Sequence, residues 1–174
     1  MIATSRVVGY GVVLGIMASC IGCDQITKHI AKKRLEGQPS QSFCGDVLRL
    51  EYAENPGAFL GLGGQLPPVA RWTLLVAFNG LIALGIAGML AWHANMLLLQ
   101  WMACALLLSG ALGNWVDRLR FDGLVIDFLN LGLGPVRTGI FNVADMAILA
   151  GALLLVWPTL AGRQPPADER FHLD

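Results

Sequence analysis

The chain has 174 residues, 55% of them hydrophobic and only 14% charged, and its 12 basic and 12 acidic residues cancel to a formal net charge of zero. Together with a mean hydropathy of +0.60, this composition excludes an ordinary soluble domain, and the balanced charge offers no basic footprint for nucleic acid. An integral membrane protein is the class that remains.

Four apolar runs match the roughly 20 helical residues that a hydrocarbon core requires: residues 7–23, 72–92, 96–116 and 140–160. They predict an all-α membrane bundle of four transmembrane helices. Trp72, Trp92, Trp115 and Trp157 fall near the predicted ends, where indole rings favour the interface. Gly85, Gly88, Gly110, Gly113 and Gly151 are expected to let helices approach closely. The first run has a rival reading, since Arg6, the apolar stretch and "MASC" at residues 17–20 imitate a cleavable lipoprotein signal. Three further spans favour a retained helix.

The connections at 24–71 and 117–139 lie on one face and hold most of the chain outside the spans. In the first, Leu48, Leu50 and Tyr52 alternate with Arg49 and Glu51 before an Asn-Pro-Gly turn, which is strand periodicity. In the second, "RFDGLVIDFLN" repeats the signal with an Asp-Gly turn at Asp122 and Gly123. A small β-sheet on the outer, extracytoplasmic face is predicted, within a single membrane domain over residues 1–163. Residues 164–174, rich in proline, are expected to be a disordered tail. Orientation is ambiguous on charge alone. Arg6, Arg163 and Arg170 accompany the termini, whereas nine of the 12 basic residues lie in the two long connections, which places the termini outside by the positive-inside rule.

The remaining polar residues cluster in five places: "DQITK" (24–28), "NPGAF" (55–59), "GNWVDR" (113–118), "VIDF" (125–128) and "FNVAD" (141–145). All five lie toward the same end of the predicted bundle, so one polar site roofed by the sheet is the economical reading. Asp145 stands at the start of an apolar run, where an uncompensated carboxylate costs at least ~2.5 kcal/mol, so it needs a use or a partner. A serine peptidase is poorly served, since His29, His93 and His172 are the only histidines and no serine falls in the clusters. Cys20, Cys23 and His29 make no convincing zinc set, and the four cysteines are expected to pack as small apolar residues. A carboxylate-only Mg²⁺ or Ca²⁺ site stays open as a minor alternative. Paired acids are what the clusters offer.

The ordered set of five motifs over four spans resembles lipoprotein signal peptidase, also called signal peptidase II. The resemblance implies an aspartic endopeptidase of the bacterial cytoplasmic membrane. Such an enzyme removes the signal peptide from prolipoproteins on the amino side of a diacylglyceryl-modified cysteine, without metal or organic cofactor. It implies cytoplasmic termini and an outward-facing site, against the charge count. By motif, Asp127 of "VIDF" and Asp145 of "FNVAD" match the family's catalytic pair. Asp24, Asn55, Gly57, Asn114, Arg118 and Asn142 match residues that line its site and contact substrate or the inhibitor globomycin, and Asp117 matches a position that supports the fold. The partners implied are lipidated prolipoproteins and membrane lipids. One motif departs from the pattern: many relatives have two small residues between the Asn-x-Gly and its Phe, whereas here Phe59 directly follows Ala58.

The chemistry of the residues agrees. Two carboxyls close together in a partly desolvated site share one proton near neutral pH, so one acts as base toward water and the other as acid toward the scissile carbonyl. Bland readings stand beside this. Asp127 as a surface acid, Asp145 paired with Arg118, Asp24 as a helix cap for "QITKHIAKK" with its lysines solvated, and Asn55 as a turn residue each satisfy one motif. None explains all five. A small transporter or proton channel is the alternative function, but it should carry polar groups through the full depth, and only Asn79 and Gln100 fall mid-span.

Overall fold

A computed structural model describes residues 5–57, 65–93 and 96–160. In chain order its elements are α1 (Arg6–Leu35), β1 (Gln41–Phe43), β2 (Leu48–Asn55), α2 (Pro68–Trp92), α3 (Leu98–Arg120), β3 (Val125–Leu133), β4 (Val136–Arg137) and α4 (Val143–Leu160). Ala58, Phe59 and the expected tail at 164–174 lie outside the described residues. Helices α1, α2 and α3 are long and apolar enough to cross a membrane, and α4 contributes a shorter apolar run, Val143–Trp157. The architecture is mostly helical with a small antiparallel sheet, consistent with a membrane protein.

The first helix does not end at residue 23. It runs for 30 residues to Leu35, about 45 Å at 1.5 Å per residue and so well beyond a hydrocarbon core of about 30 Å. Nothing in "DQITKHIAKKRL" breaks a helix, and the stop comes at Gly37, whose φ of 72° suits only a residue without a side chain. The fourth helix starts later than expected, at Val143, because Phe141 is extended: it donates to the Leu129 carbonyl at 2.8 Å and its own carbonyl accepts from Phe128 and Leu129. Gln100 is not mid-span either, since it sits in the first turn of α3 and its side-chain oxygen accepts the Leu97 N–H at 2.8 Å.

Helix α3 packs against all three other helices. Three of the five glycines act as expected, among them Gly113, where a Cβ would stand 2.8 Å from Asp24 Oδ2 and 3.2 Å from Ala144 Cβ. A Cβ on Gly110 would collide with the Ala144 carbonyl oxygen, and one on Gly151 would stand 2.8 Å from the Ala103 carbonyl oxygen, so α3 and α4 are in backbone contact. Gly85 and Gly88 face open space, and Gly9 instead admits the Trp101 ring against α1. Trp72, Trp92 and Trp157 are exposed, but Trp115 turns inward, where its Nε1 donates to the Val76 carbonyl at 3.1 Å and fastens α2 to α3. Of the four free cysteines only Cys104 is buried; Cys23 and Cys44 are exposed, contrary to the expected packing role.

The sheet has the order β1-β2-β3-β4, all antiparallel. Asp122 and Gly123 do adopt left-handed turn backbone, with φ of 50° and 89°, but they join α3 to β3 rather than two strands. Ala31 and Leu35 of α1 pack with Phe128, Leu50 and Tyr52, so the extension of α1 is the floor on which the sheet rests.

The β2–β3 register shifts by one residue between Leu50 and Ala53. Leu50 pairs with Leu129, but Asn55 pairs with Val125, so Asn55 shares a sheet face with Asp127 and Glu54 does not. Strict alternation from Leu48 places Glu54 there instead; the bulge reverses the phase.

Because the α3–α4 contact leaves no room for a side chain, Gly110→Leu is expected to destabilise the protein by about 1–3 kcal/mol or more. Gly85→Leu, into open space, should leave the melting temperature in detergent unchanged. Equal melting of the two variants would show that the contact is not a packing constraint.

Candidate active site

Asn142 immediately precedes α4 and Asp145 is its third residue. The Asp145 N–H donates to Asn142 Oδ1 at 3.0 Å, and the Asn142 N–H donates to Asp145 Oδ2 at 3.2 Å. "FNVAD" is therefore a reciprocal helix cap, and it holds the Asp145 carboxylate in the first turn, where the helix dipole favours negative charge.

Asp127 arrives from the central strand β3 and is 2% exposed. Both of its oxygens accept from amides, Oδ1 from Asn142 Nδ2 at 2.6 Å and Oδ2 from Asn55 Nδ2 at 2.9 Å. Asn55 reaches it because of the bulge in β2. Asn142 thus touches both acids, one with its side-chain nitrogen and the other through the cap. Asn114 Nδ2 donates to Asp145 Oδ1 at 2.9 Å, completing the polar floor. Burial pushes the Asp127 carboxyl up to about 6, and the nearby Asp145 charge adds to the rise, against the opposing pull of the two amides and of Lys28.

Behind this floor lies a buried ion cluster. Lys28 Nζ is 2.8 Å from Asp24 Oδ2 and 2.9 Å from Asp117 Oδ2, and it donates to Asn114 Oδ1 at 3.0 Å. Asp24 caps a helix, but not its own: its Oδ1 accepts the Ala144 N–H of α4 at 2.9 Å. Asp117 also accepts from Gln25 Nε2 and from the Ile126 N–H at the start of β3. The expectation of a solvated lysine face fails at Lys28 because one helical turn from Asp24 points inward; Lys32, a turn further, is half-exposed and lies 3.6 Å from Glu54.

Asn55, Asn114, Arg118, Asp127 and Asp145 line one cleft of about 320 Å³. Asp24 and Asn142 are buried beneath it, at 1% and 0% exposure, and Gly57 is held at its edge by Arg118, whose Nη2 donates to the Gly57 carbonyl at 2.9 Å. Arg118 also donates to the Asn114 carbonyl at 3.1 Å. Among the described residues no Arg118–Asp145 ion pair forms, so that bland reading of Asp145 loses its support. Asn79, noted in the sequence only as a mid-span polar residue, lines the cleft, and sequence reasoning missed its apolar walls: Leu75 and Phe78 come from α2, and Ile148 and Leu149 from α4. Only their spacing within apolar runs signals them, and that spacing is shared by every lipid-facing residue. Among the described residues, no group of three or more His, Cys, Asp or Glu side chains is placed to hold a metal ion.

The sequence model of signal peptidase (SPase) II matches residues 16–161. The chain belongs to the signal peptidase II family. A lipoprotein signal peptidase from Moorella thermoacetica is 36% identical over 150 residues, which cover 83% of this chain and 93% of that one. Another, from Sphingopyxis alaskensis, is 38% identical over 156 residues, covering 88% and 87%. Two solved structures described as bacterial membrane enzymes studied by the in meso method superpose with TM-scores of 0.79 and 0.77. The first is 24% identical and covers 98% of this chain and 99% of its own; the second is 26% identical and covers 92% and 97%. Membership in the signal peptidase II family makes the chain a peptidase.

Two outcomes follow from these contacts. Lys28→Met leaves Asp24 and Asp117 facing each other without a counter-charge, and should cost about 3–5 kcal/mol, whereas Lys32→Met, at a half-exposed pair, should cost under about 1 kcal/mol. Comparable melting temperatures would refute the ion cluster. Asp127, in turn, binds its proton at about 6 in the folded protein and at about 3.9 in the unfolded chain. The folded state therefore holds more proton between those values, and the contribution of Asp127 to stability falls as pH rises from about 4 to about 6. The melting temperature of Asp127→Asn relative to the unaltered protein should rise over that window and level off above it; a flat difference would show that Asp127 is not perturbed.

Proposed function

We propose that this chain removes the signal peptide from lipidated prolipoproteins, with Asp127 and Asp145 as the catalytic pair. The observation that carries the reading is the convergence of these two acids, from a strand and from a helix cap, on one cleft whose other polar lining is Asn55, Asn79, Asn114 and Arg118. The peptidase unit in this reading spans residues 1–163.

In the reaction, Asp145 is the base. The Asn114 amide and the Asn142 backbone N–H donate to its two oxygens and hold the carboxylate at the cleft. Asp127, whose affinity for a proton is raised, holds the proton of the pair. Asp145 takes a proton from a water in the cleft, and that water attacks the scissile carbonyl carbon. Asp127 donates to the carbonyl oxygen as it becomes tetrahedral. Collapse of the intermediate then breaks the C–N bond, and the amine leaves with a proton returned by the pair. Asn55 and the buried Arg118, which both line the cleft, hold the substrate backbone in this reading, and Asn114 steadies the base. Asn142 and Asp24 serve by fixing the first turn of α4.

The apolar flank of the cleft, with Phe78 and Leu149 both exposed, suits the acyl chains of a diacylglyceryl group. Burying them contributes about 0.8 kcal/mol per CH₂, enough to anchor a scissile bond without a long peptide groove. The site then faces outward from the bacterial inner membrane with both termini in the cytoplasm, and globomycin competes for the same cleft. A transporter or channel fits less well, because the two polar residues expected mid-span are otherwise placed: Asn79 lines this cleft and Gln100 caps the start of α3.

Asp127→Asn and Asp145→Asn should each lower kcat on a lipidated prolipoprotein by at least ~10²- to 10⁴-fold, and the double variant should be about as slow as either single one. Both should still melt cooperatively. Asparagine at 127 turns an NH₂ toward one of its two amide donors, but it also removes the cost of burying a second charge. Substantial turnover by either single variant defeats the dyad. Orientation is checked separately by labelling Gln41→Cys and Glu169→Cys in a cysteine-free background in intact cells: an impermeant thiol reagent should modify the first and not the second, and the reverse pattern overturns the topology.

A further inference from the structure

Lys28 is 2% exposed and has no part in the chemistry above. A structural ion pair needs only its contacts to Asp24 and Asp117. The third contact, to Asn114 Oδ1 at 3.0 Å, is directional. Asn114 Oδ1 also accepts from Asn142 Nδ2 at 3.2 Å. Turning the Asn114 amide over sets its NH₂ against an ammonium and a second NH₂, so the orientation that points Nδ2 at Asp145 is the one this surrounding permits. Asn142 alone holds it weakly. Its two amide hydrogens are divided among Asn114 Oδ1, the Ile126 carbonyl at 3.3 Å and Asp127 Oδ1 at 2.6 Å, whereas each ammonium hydrogen of Lys28 has one acceptor.

We propose that Lys28 is a positioning residue for the reaction: by locking the Asn114 amide it aims the N–H that holds Asp145 Oδ1, and so fixes the direction in which the base faces the attacking water. The inference rests on the assignment of Asp145 to the reacting pair. Lys28 touches neither substrate nor water in this account and acts through Asn114 alone. Its salt bridge to Asp24 reaches the backbone of α4 by a separate route, through the Ala144 N–H, and the test has to separate the two.

The variants are made in an Asp117→Asn background, which offsets the lost charge. There, Lys28→Met removes the donor to Asn114, and Lys28→Gln restores an amide hydrogen on a chain one atom shorter. Melting temperature, kcat and KM are measured with one lipidated prolipoprotein in one detergent. The methionine variant should lose ~10²-fold in kcat, the scale of a base displaced by about an ångström, with KM close to that of Asp117→Asn. The glutamine variant should recover most of that loss. If only the glutamine variant folds, a kcat within about tenfold of Asp117→Asn supports the assignment and a lower one overturns it. Parental kcat in the methionine variant, or equal slowness of the two, overturns it as well. So does failure of both Lys28 substitutions to fold, in this background and in the unaltered chain, since the lysine is then a structural ion. Turnover by Asp145→Asn would instead defeat the dyad itself, while an inactive Asp145→Asn beside a fully active Lys28→Met defeats only the role given to Lys28.

Discussion

A single ammonium between two carboxylates, buried where α1, α3 and the start of α4 meet, is the constraint on which the rest of this structure depends. Removing three charges from water is costly, and the cost is recovered only when each finds partners at close range. Lys28, Asp24 and Asp117 do so within 2.9 Å; the two remaining carboxylate oxygens accept from Gln25 and from the Ala144 N–H, and the Ile126 N–H donates to the Asp117 oxygen that Lys28 also touches. Each of those donors belongs to a different piece of the fold. The cluster therefore sets the height of α1 against α3, the point at which β3 leaves α3, and the position of the first turn of α4. Slippage of any one element leaves a buried charge without a partner, which is a far steeper penalty than the loss of an apolar contact.

The two cleft acids are held by opposite kinds of structure, and this gives them different electrostatics. Asp145 is a helix-cap residue, with the dipole and two N–H donors on its side. Asp127 lies on a strand with no dipole behind it, is more deeply buried, and feels the charge of its neighbour. Burial first, and then the charge of its neighbour, raise the proton affinity of Asp127. Asn142 couples the pair mechanically, because the same side chain caps the helix bearing one acid and bonds the other.

Local chemistry was legible in the sequence where it depended on nearest neighbours. The apolar runs revealed the helices, and the ordered motifs brought Asn55, Asn114, Arg118, Asp127 and Asp145 together before any geometry was known. What the sequence hid depended on distant contacts. Lys28 reads as one more lysine in "KHIAKK", and only the turn-by-turn direction of α1 against α3 separates it from Lys32. The bulge in β2 leaves no mark on a stretch where Leu48, Leu50 and Tyr52 already alternate, yet it decides whether Asn55 or Glu54 meets Asp127. Trp115 has the composition of an interfacial anchor and is instead a bolt between helices, because Val76 offers a carbonyl at the right height. Glycines behave likewise: Gly85 and Gly110 are indistinguishable in sequence, and one faces nothing while the other faces a backbone.

The small-residue row on α3 links packing to chemistry. Gly110 lies under the Ala144 carbonyl and Ile148, and Gly113, one turn on, lies 3.2 Å from Ala144 Cβ and 2.8 Å from Asp24 Oδ2, measured from where its own Cβ would be. Both glycines thus press on Ala144, the residue immediately before Asp145. Any side chain at these positions lifts the first turn of α4 away from α3, lengthening the bond from Asp24 to the Ala144 N–H and drawing Asp145 back from Asn114. The lipid solvent supplies no hydrophobic force to close that gap again, because helix and acyl chain are equally apolar. Close approach of backbones is therefore the means by which this bundle holds a polar site at its end, and the identity of two residues with no side chain decides where a carboxylate stands.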